Sequence, residues 1–329
     1  MQLPTHKRLM IFSGTANRGL AEEVAEHLGM KLSQVEVSRF ANSETYARFA
    51  ESVRGCDAFV IQTIHDPVDQ NVMQHFIMID ALKRASAKRI TAVCPLYPYA
   101  RQDRKARGRE PITAKLMADF YEAAGANRVL SVDLHSGQIQ GFFNVPFDHL
   151  TALPLLADYL ADSVGRDFVL VSPDPGGVHL ADKWAQYLNE IHDLHCEVAF
   201  LHKRRRRDER NVSETLAVVG DVADRVCVMV DDMIDTGGTL SNGCESLVAA
   251  GAREVHAAAT HGLLSGPAVD RLKNSALKQI VLTNTVPLGP EKELDNMTVL
   301  SIAPLVAQTI KAVFEEDSVS ELFHDKNQP

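Results

Sequence analysis

The sequence predicts an α/β protein built as two related domains, each a mainly parallel sheet flanked by helices. Three observations predict it. Short β-branched apolar runs recur along the chain, and helical patterns fill the intervals between them. Glycine and proline punctuate the helix ends. An apolar run ends in Val132-Asp133 in one half and in Val230-Asp231 in the other, each followed by a polar, glycine-containing loop.

The elements follow in order. Residues 9–12, 59–62, 90–94 and 129–132 read as strands buried on both faces, because they are apolar at consecutive positions rather than alternating. Helical patterns at 19–28, 72–85 and 111–124 separate them; Pro111 suits a first helical turn and Gly125 a C-terminal cap. The second half repeats the scheme, with strands at 168–171, 226–230 and 280–282 and helices at 178–189, 240–250 and 266–274, Gly251 following the fifth helix. The boundary is expected near residue 150, giving domains 1–150 and 151–314. The polar residues 315–329 read as a frayed tail.

A chain of 329 residues, 45% hydrophobic and 23% charged, has apolar material for two cores. Its net charge of −9 excludes a general nucleic-acid or anionic-membrane binder. The N-terminus reaches only a four-residue apolar run at 9–12, too short for a signal peptide. The apolar stretch 297–310 is interrupted by Pro304 and falls short of the roughly 20 residues of a membrane span. Cys56, Cys94, Cys196, Cys227 and Cys244 are odd in number and lack metal-ligand spacing, so reduced thiols in a cytoplasmic protein are expected.

Chemistry concentrates in Val226-Cys-Val-Met-Val-Asp231-Asp232-Met-Ile-Asp235-Thr236-Gly237-Gly238-Thr239-Leu240. A buried strand feeds a polar turn and then a helix, and ligands bind at such strand ends. Gly237 and Gly238 allow close backbone approach, Thr236 and Thr239 add hydroxyl donors, and the helix presents its positive end, which together make a phosphate cradle. Asp231 and Asp232 would repel a phosphate placed on them and suit sugar hydroxyls or a hydrated magnesium ion nearby. The bland alternative is a capped helix with solvated acids; three acids, two threonines and two glycines in this order favour a sugar phosphate.

This segment resembles the ribose-phosphate motif of phosphoribosyltransferase-type proteins, so the predicted fold is two phosphoribosyltransferase-like domains. Asp133-Leu-His-Ser-Gly-Gln-Ile-Gln-Gly-Phe-Phe143, Tyr99-Ala-Arg-Gln-Asp-Arg-Lys105, Ser172-Pro-Asp-Pro-Gly-Gly177 and Lys203-Arg-Arg205 together are similar to the ribose-phosphate diphosphokinases, over nearly the whole chain. The resemblance implies magnesium-dependent transfer of the diphosphoryl group of ATP to ribose 5-phosphate. The products would be phosphoribosyl pyrophosphate and AMP, for nucleotide, histidine and tryptophan biosynthesis. A phosphoribosyltransferase that consumes this product would explain the Asp231 loop but not the first-domain segments. A non-catalytic regulatory subunit would have lost the basic pair or the acidic loop.

The same resemblance assigns roles. Lys203 and Arg205 become the catalytic pair, positioned cations being what diphosphoryl transfer needs. Their loop lacks a proline common after the Lys-Arg-Arg triplet and runs two residues longer before Asn211. Phe40 would stack on adenine with Asn42 and Glu44 at its edge, Asn42-Ser43 standing where many relatives carry Asp-Gly, and Arg101 and Gln102 would take the ATP phosphates and ribose. Ribose 5-phosphate falls to Asp231, Asp235, Thr236, Gly237, Gly238 and Thr239, and the metal to His135 and Asp174. His192 and His195 read as surface residues. The tail around Ser318 and Ser320 resembles part of a regulatory anion site, with phosphate and ADP as effectors of a homo-oligomer, a hexamer in the family.

Overall fold

The computed structural model describes residues 7–204 and 215–320. The chain forms two compact units. The first begins with β1 (Leu9–Ser13), α1 (Arg18–His27), β2 (Val35–Arg39), β3 (Thr45–Phe49) and β4 (Asp57–Ile61). It continues through α2 (Val68–Arg84), β5 (Arg89–Val93), α3 (Thr113–Ala124), β6 (Arg128–Val132) and β7 (Phe147–Leu150).

Its sheet runs β1-β4-β5-β6-β7, every pair parallel. All five residues of β4 are buried, as are the last four of β1, β5 and β6, which explains the unbroken apolar runs. β2 and β3 form a separate antiparallel hairpin, with Val35 opposite Phe49 and Arg39 opposite Thr45. Gly125 caps α3 with φ +117, as its position in the sequence predicts. Pro111 lies one residue before the cap Ile112 rather than inside the first turn.

The second unit runs α4 (Leu153–Val164), β8 (Phe168–Ser172), α5 (Val178–His192), β9 (Val198–Arg204) and β10 (Thr215–Val219). Then come β11 (Val226–Ile234), α6 (Gly238–Ala249), β12 (Glu254–Gly262), α7 (Ala268–Lys273), β13 (Gln279–Thr283) and β14 (Met297–Leu300). The strand order is β10-β9-β8-β11-β12-β13-β14, parallel except where β10 returns against β9. The order reverses between β8 and β11, the switch point beside which sheets of this kind bind ligands at the carboxyl edge. α6 lies so close to the sheet that a Cβ on Gly243 would sit 2.8 Å from Leu201 Cδ1 and 2.9 Å from Met229 Sδ.

The last helix, α8 (Ala303–Glu315), belongs to the first unit, with Thr285–Pro287 and the described residues from Ser301 onward. The sequence reading placed residues 301–314 in the second domain. The difference has a packing cause: α1 presents Leu20, Ala21, Val24 and Ala25 as a buried face, and α8 buries Ala303, Val306, Ala307 and Ile310. Lys7 Nζ then donates to Phe314 O at 3.2 Å and to Glu316 Oε1 at 2.7 Å. Pro304 sits in the first turn of α8, where a missing N–H is harmless, and so begins a helix rather than merely breaking the apolar stretch. Among the described residues no helix is long and apolar enough to cross a membrane.

Candidate active site

The loop leaving β11 owes its shape to where its carbonyls go. Ile234 O accepts from Leu263 N (3.0 Å) and Leu264 N (3.1 Å), Asp235 O from Ser265 N (2.8 Å), and Gly237 O from Ser241 N (3.0 Å). Thr236 O accepts from the guanidinium Nη1 of Arg271 at 3.0 Å. Four consecutive carbonyls are thus held by donors of the protein. Gly237 caps α6 in the left-handed region, φ +70, with no side-chain bond to the first-turn amides. A Cβ there would meet Ala268 O at 3.3 Å, so glycine serves both the turn and the close approach of α7. The first N–H groups of α6 therefore remain available to an anion, with the exposed hydroxyls of Thr236 and Thr239 beside them.

Acids stand just before this cradle. Asp231 is half-buried at the carboxyl end of β11, and its Oδ1 accepts Asp232 N–H at 2.9 Å. Desolvation, then the neighbouring charges of Asp232 and Asp174, push its carboxyl up to about 8. Asp174, in the loop after the adjacent strand β8, takes Gly176 N–H (2.7 Å) and Gly177 N–H (3.0 Å) on Oδ1. Gly177 has no room for a side chain, since a Cβ would lie 2.7 Å from Ser172 Oγ. Lys203 lies near the carboxyl end of β9, on the same edge of the sheet, opposite Leu216 of β10. Its side chain and all of Arg205 lie outside the described residues.

In the first unit the site candidates occupy one hairpin and two adjacent loops. Phe40 stands 56% exposed at the tip of the β2–β3 hairpin, edge-on to Tyr46 at 5.7 Å between ring centres. Asn42 Oδ1 accepts Glu44 N–H at 3.2 Å, and Ser43 adopts φ +72, a conformation that glycine takes without strain. Arg101 and Gln102 are exposed in the loop after β5, where Gln102 Oε1 accepts the Thr113 hydroxyl at 2.6 Å. His135 is exposed in the loop after β6, the strand beside β5. There Leu134 N–H donates to His149 Nε2 at 2.9 Å, which fixes the loop's entry.

The structure therefore gathers Asp174, Asp231, Asp235 and the cradle residues at one edge of the second sheet, and Arg101, Gln102 and His135 at the carboxyl edge of the first. Among the described residues no three His, Cys, Asp or Glu side chains converge to hold a metal by themselves. His192 is half-buried rather than at the open surface, its Nε2 2.8 Å from Asp158 Oδ1, while His195 is exposed. Arg271 went unnoticed in the sequence, because an arginine on a short polar helix carries no local signal of what its head group reaches.

A parallel sheet with an open helix N-terminus at its switch point, preceded by acids, defines an α/β protein of the phosphoribosyltransferase fold. Comparison with known proteins narrows this. Residues 9–125 match the N-terminal domain of ribose phosphate pyrophosphokinase, and residues 206–324 match the phosphoribosyl synthetase-associated domain. The ribose-phosphate pyrophosphokinase of Streptomyces coelicolor is 53% identical over 97% of each chain, and that of Mycobacterium tuberculosis is 52% identical over 96% of each. The crystal structure of phosphoribosylpyrophosphate synthetase from Mycobacterium smegmatis superposes with a TM-score of 0.88 at 50% identity, covering 94% of this chain and 100% of that one. The chain belongs to the ribose-phosphate pyrophosphokinase family.

Proposed function

We propose that the chain transfers the diphosphoryl group of ATP to the anomeric hydroxyl of ribose 5-phosphate, giving 5-phosphoribosyl 1-pyrophosphate and AMP. The C1 oxygen bonds to the β-phosphorus as the bond from that phosphorus to the oxygen bridging the α-phosphate breaks, AMP leaves with that oxygen, and the hydroxyl proton is released to water. The observation that carries the reading is the cradle after β11, with its carbonyls tied back, its helix amides uncapped, and acids one step away. Thr236, Gly237, Gly238 and Thr239 take the 5-phosphate, and Asp231 and Asp235 take the ribose hydroxyls. Phe40, Asn42 and Glu44 hold adenine, while Arg101 and Gln102 hold the ATP phosphates and ribose. Lys203 and Arg205 neutralise charge that develops on the transferred group.

Magnesium is the proposed metal. The donor chemistry fits: Asp174 offers hard carboxylate oxygens, and its charge, with that of Asp232, helps lift the Asp231 carboxyl, a repulsion that a hydrated divalent cation held by Asp174 would relieve. Asp174 is the proposed metal residue of the second unit, and His135 is that of the first. When bound, the ion supplies charge neutralisation on the phosphate oxygens.

A homo-oligomer, with phosphate and ADP as effectors and Ser318 and Ser320 in the regulatory segment, is proposed from the family resemblance alone. A cytoplasmic location is supported by five unpaired, buried cysteines. Incubation with ribose 5-phosphate, ATP and magnesium should release AMP in proportion to the pyrophosphorylated product. No AMP at any phosphate concentration would remove the proposal.

A further inference from the structure

The geometry points to Arg271 as a positioning residue for the phosphate end of ribose 5-phosphate: it holds the Thr236 carbonyl out of the cradle and sets a positive charge behind the loop. The inference rests on residues 235–239 being that cradle.

An anion site built from backbone amides works only if the intervening carbonyls point elsewhere, because each carbonyl oxygen carries partial negative charge. Three of the four carbonyls at 234–237 are turned away by backbone partners, namely Leu263, Leu264, Ser265 and Ser241. Those bonds come with the fold and depend on no side chain. The carbonyl of Thr236 differs, since the donor it is given is the Arg271 guanidinium at 3.0 Å. It is also the carbonyl of the peptide that leads into Gly237, whose freedom at φ +70 makes this the most easily reoriented part of the turn. Without Arg271 that carbonyl can swing toward the space a phosphate needs.

The charge of Arg271 adds a second effect. Among the described residues no carboxylate forms an ion pair with it, and its exposed guanidinium spends a donor on the Thr236 carbonyl. Its Nη1 lies 3.3 Å from where a Cβ on Gly238 would stand, against the first helical residue of α6. A cation there reinforces the positive end of the helix where the dianionic phosphate sits. Arg271 also reaches the loop from α7, a different element, and so links the turn to the Ala268 backbone packed behind Gly237.

The test is steady-state kinetics of the full-length enzyme carrying Arg271→Leu, Arg271→Lys or Thr239→Val, with calorimetric titration of ribose 5-phosphate in parallel. Arg271→Leu should raise KM and Kd for ribose 5-phosphate about tenfold. Its kcat, its KM for ATP and its unfolding midpoint should stay near those of the unaltered enzyme. Arg271→Lys, which keeps the charge and one donor, should recover part of the loss and also covers the case in which the leucine variant fails to fold. An unchanged KM for ribose 5-phosphate in both Arg271 variants, with a raised KM in Thr239→Val, overturns the role of Arg271 and leaves the cradle standing. An equal fall in ATP affinity and kcat overturns it as well, because a general structural defect is then the cause. An unchanged KM in Thr239→Val and in both Arg271 variants removes the cradle reading itself, and the inference with it.

Discussion

Asp231 sits where binding and stability pull in opposite directions, and Asp231→Asn separates them. The asparagine keeps an oxygen to accept the Asp232 N–H, so the end of β11 should keep its geometry. What it loses is a carboxylate that desolvation, Asp232 and Asp174 disfavour strongly enough to move its titration from 3.8 to about 8. Below the ordinary carboxyl range the aspartate is neutral in both folded and unfolded chains, and the two proteins should be equally stable. As the pH rises from about 4 to about 8 the unfolded aspartate ionises first, so the folded wild type loses ground steadily; above about 8 the difference levels off. The full displacement corresponds to roughly 6 kcal/mol as an upper bound at ~1.4 kcal/mol per tenfold change in proton affinity. A half-buried group that shares its field with water realises a fraction of that, and a gain of about 1 to 3 kcal/mol for the variant at pH 9 is expected. Urea unfolding at pH 4, 7 and 9, with and without ribose 5-phosphate, measures it. The variant should be the more stable protein without ligand at pH 9, yet gain less from ribose 5-phosphate than the wild type does. A stability difference that does not grow with pH would refute the account of Asp231.

Three further outcomes follow, the first from the proposed function and the other two from geometry. Lys203→Ala should lower turnover roughly 100-fold or more while nucleotide binding is largely kept, read from single-turnover rates beside ATP titration; an unchanged rate would remove Lys203 from the chemistry. Gly243→Ala puts a methyl 2.8 Å from Leu201 Cδ1 and should destabilise the protein by about 1 to 3 kcal/mol in urea, with α6 pushed off its sheet. His75 is fully buried with Nδ1 3.1 Å from the Tyr121 hydroxyl and Nε2 3.1 Å from Val60 O, and burial pushes its imidazole down to about 4. Its neutral form is favoured by folding, so stability present above pH 6.5 is lost as pH falls toward 4, by about 3 kcal/mol at most; in His75→Gln that part of the acid limb should flatten.

The sequence made some of this legible and hid the rest for physical reasons. The β11 loop could be read because strand, turn and helix cap are contiguous, and each residue type there has a local conformational meaning. The strands at 9–13 and 128–132 were legible because both faces are buried. β12 escaped notice because Glu254, His256, three alanines and His261 dilute its apolar signal, although Val255 through Gly262 are buried. The candidate edge of the second sheet follows from strand order, which no local pattern encodes, and the partner of Thr236 O lies 35 residues further along the chain.

The course of α8 has a consequence for how the protein is made. The second unit has all its strands once residue 300 has been synthesised, whereas the first, begun earlier, still lacks the helix that covers α1. During synthesis the apolar face of Leu20 and Val24 must wait for Val306 and Ile310 to leave the ribosome. The unit whose synthesis begins first is therefore the one whose chain is completed last, and a break between residues 300 and 303 would separate α1 from the helix that packs in the same unit.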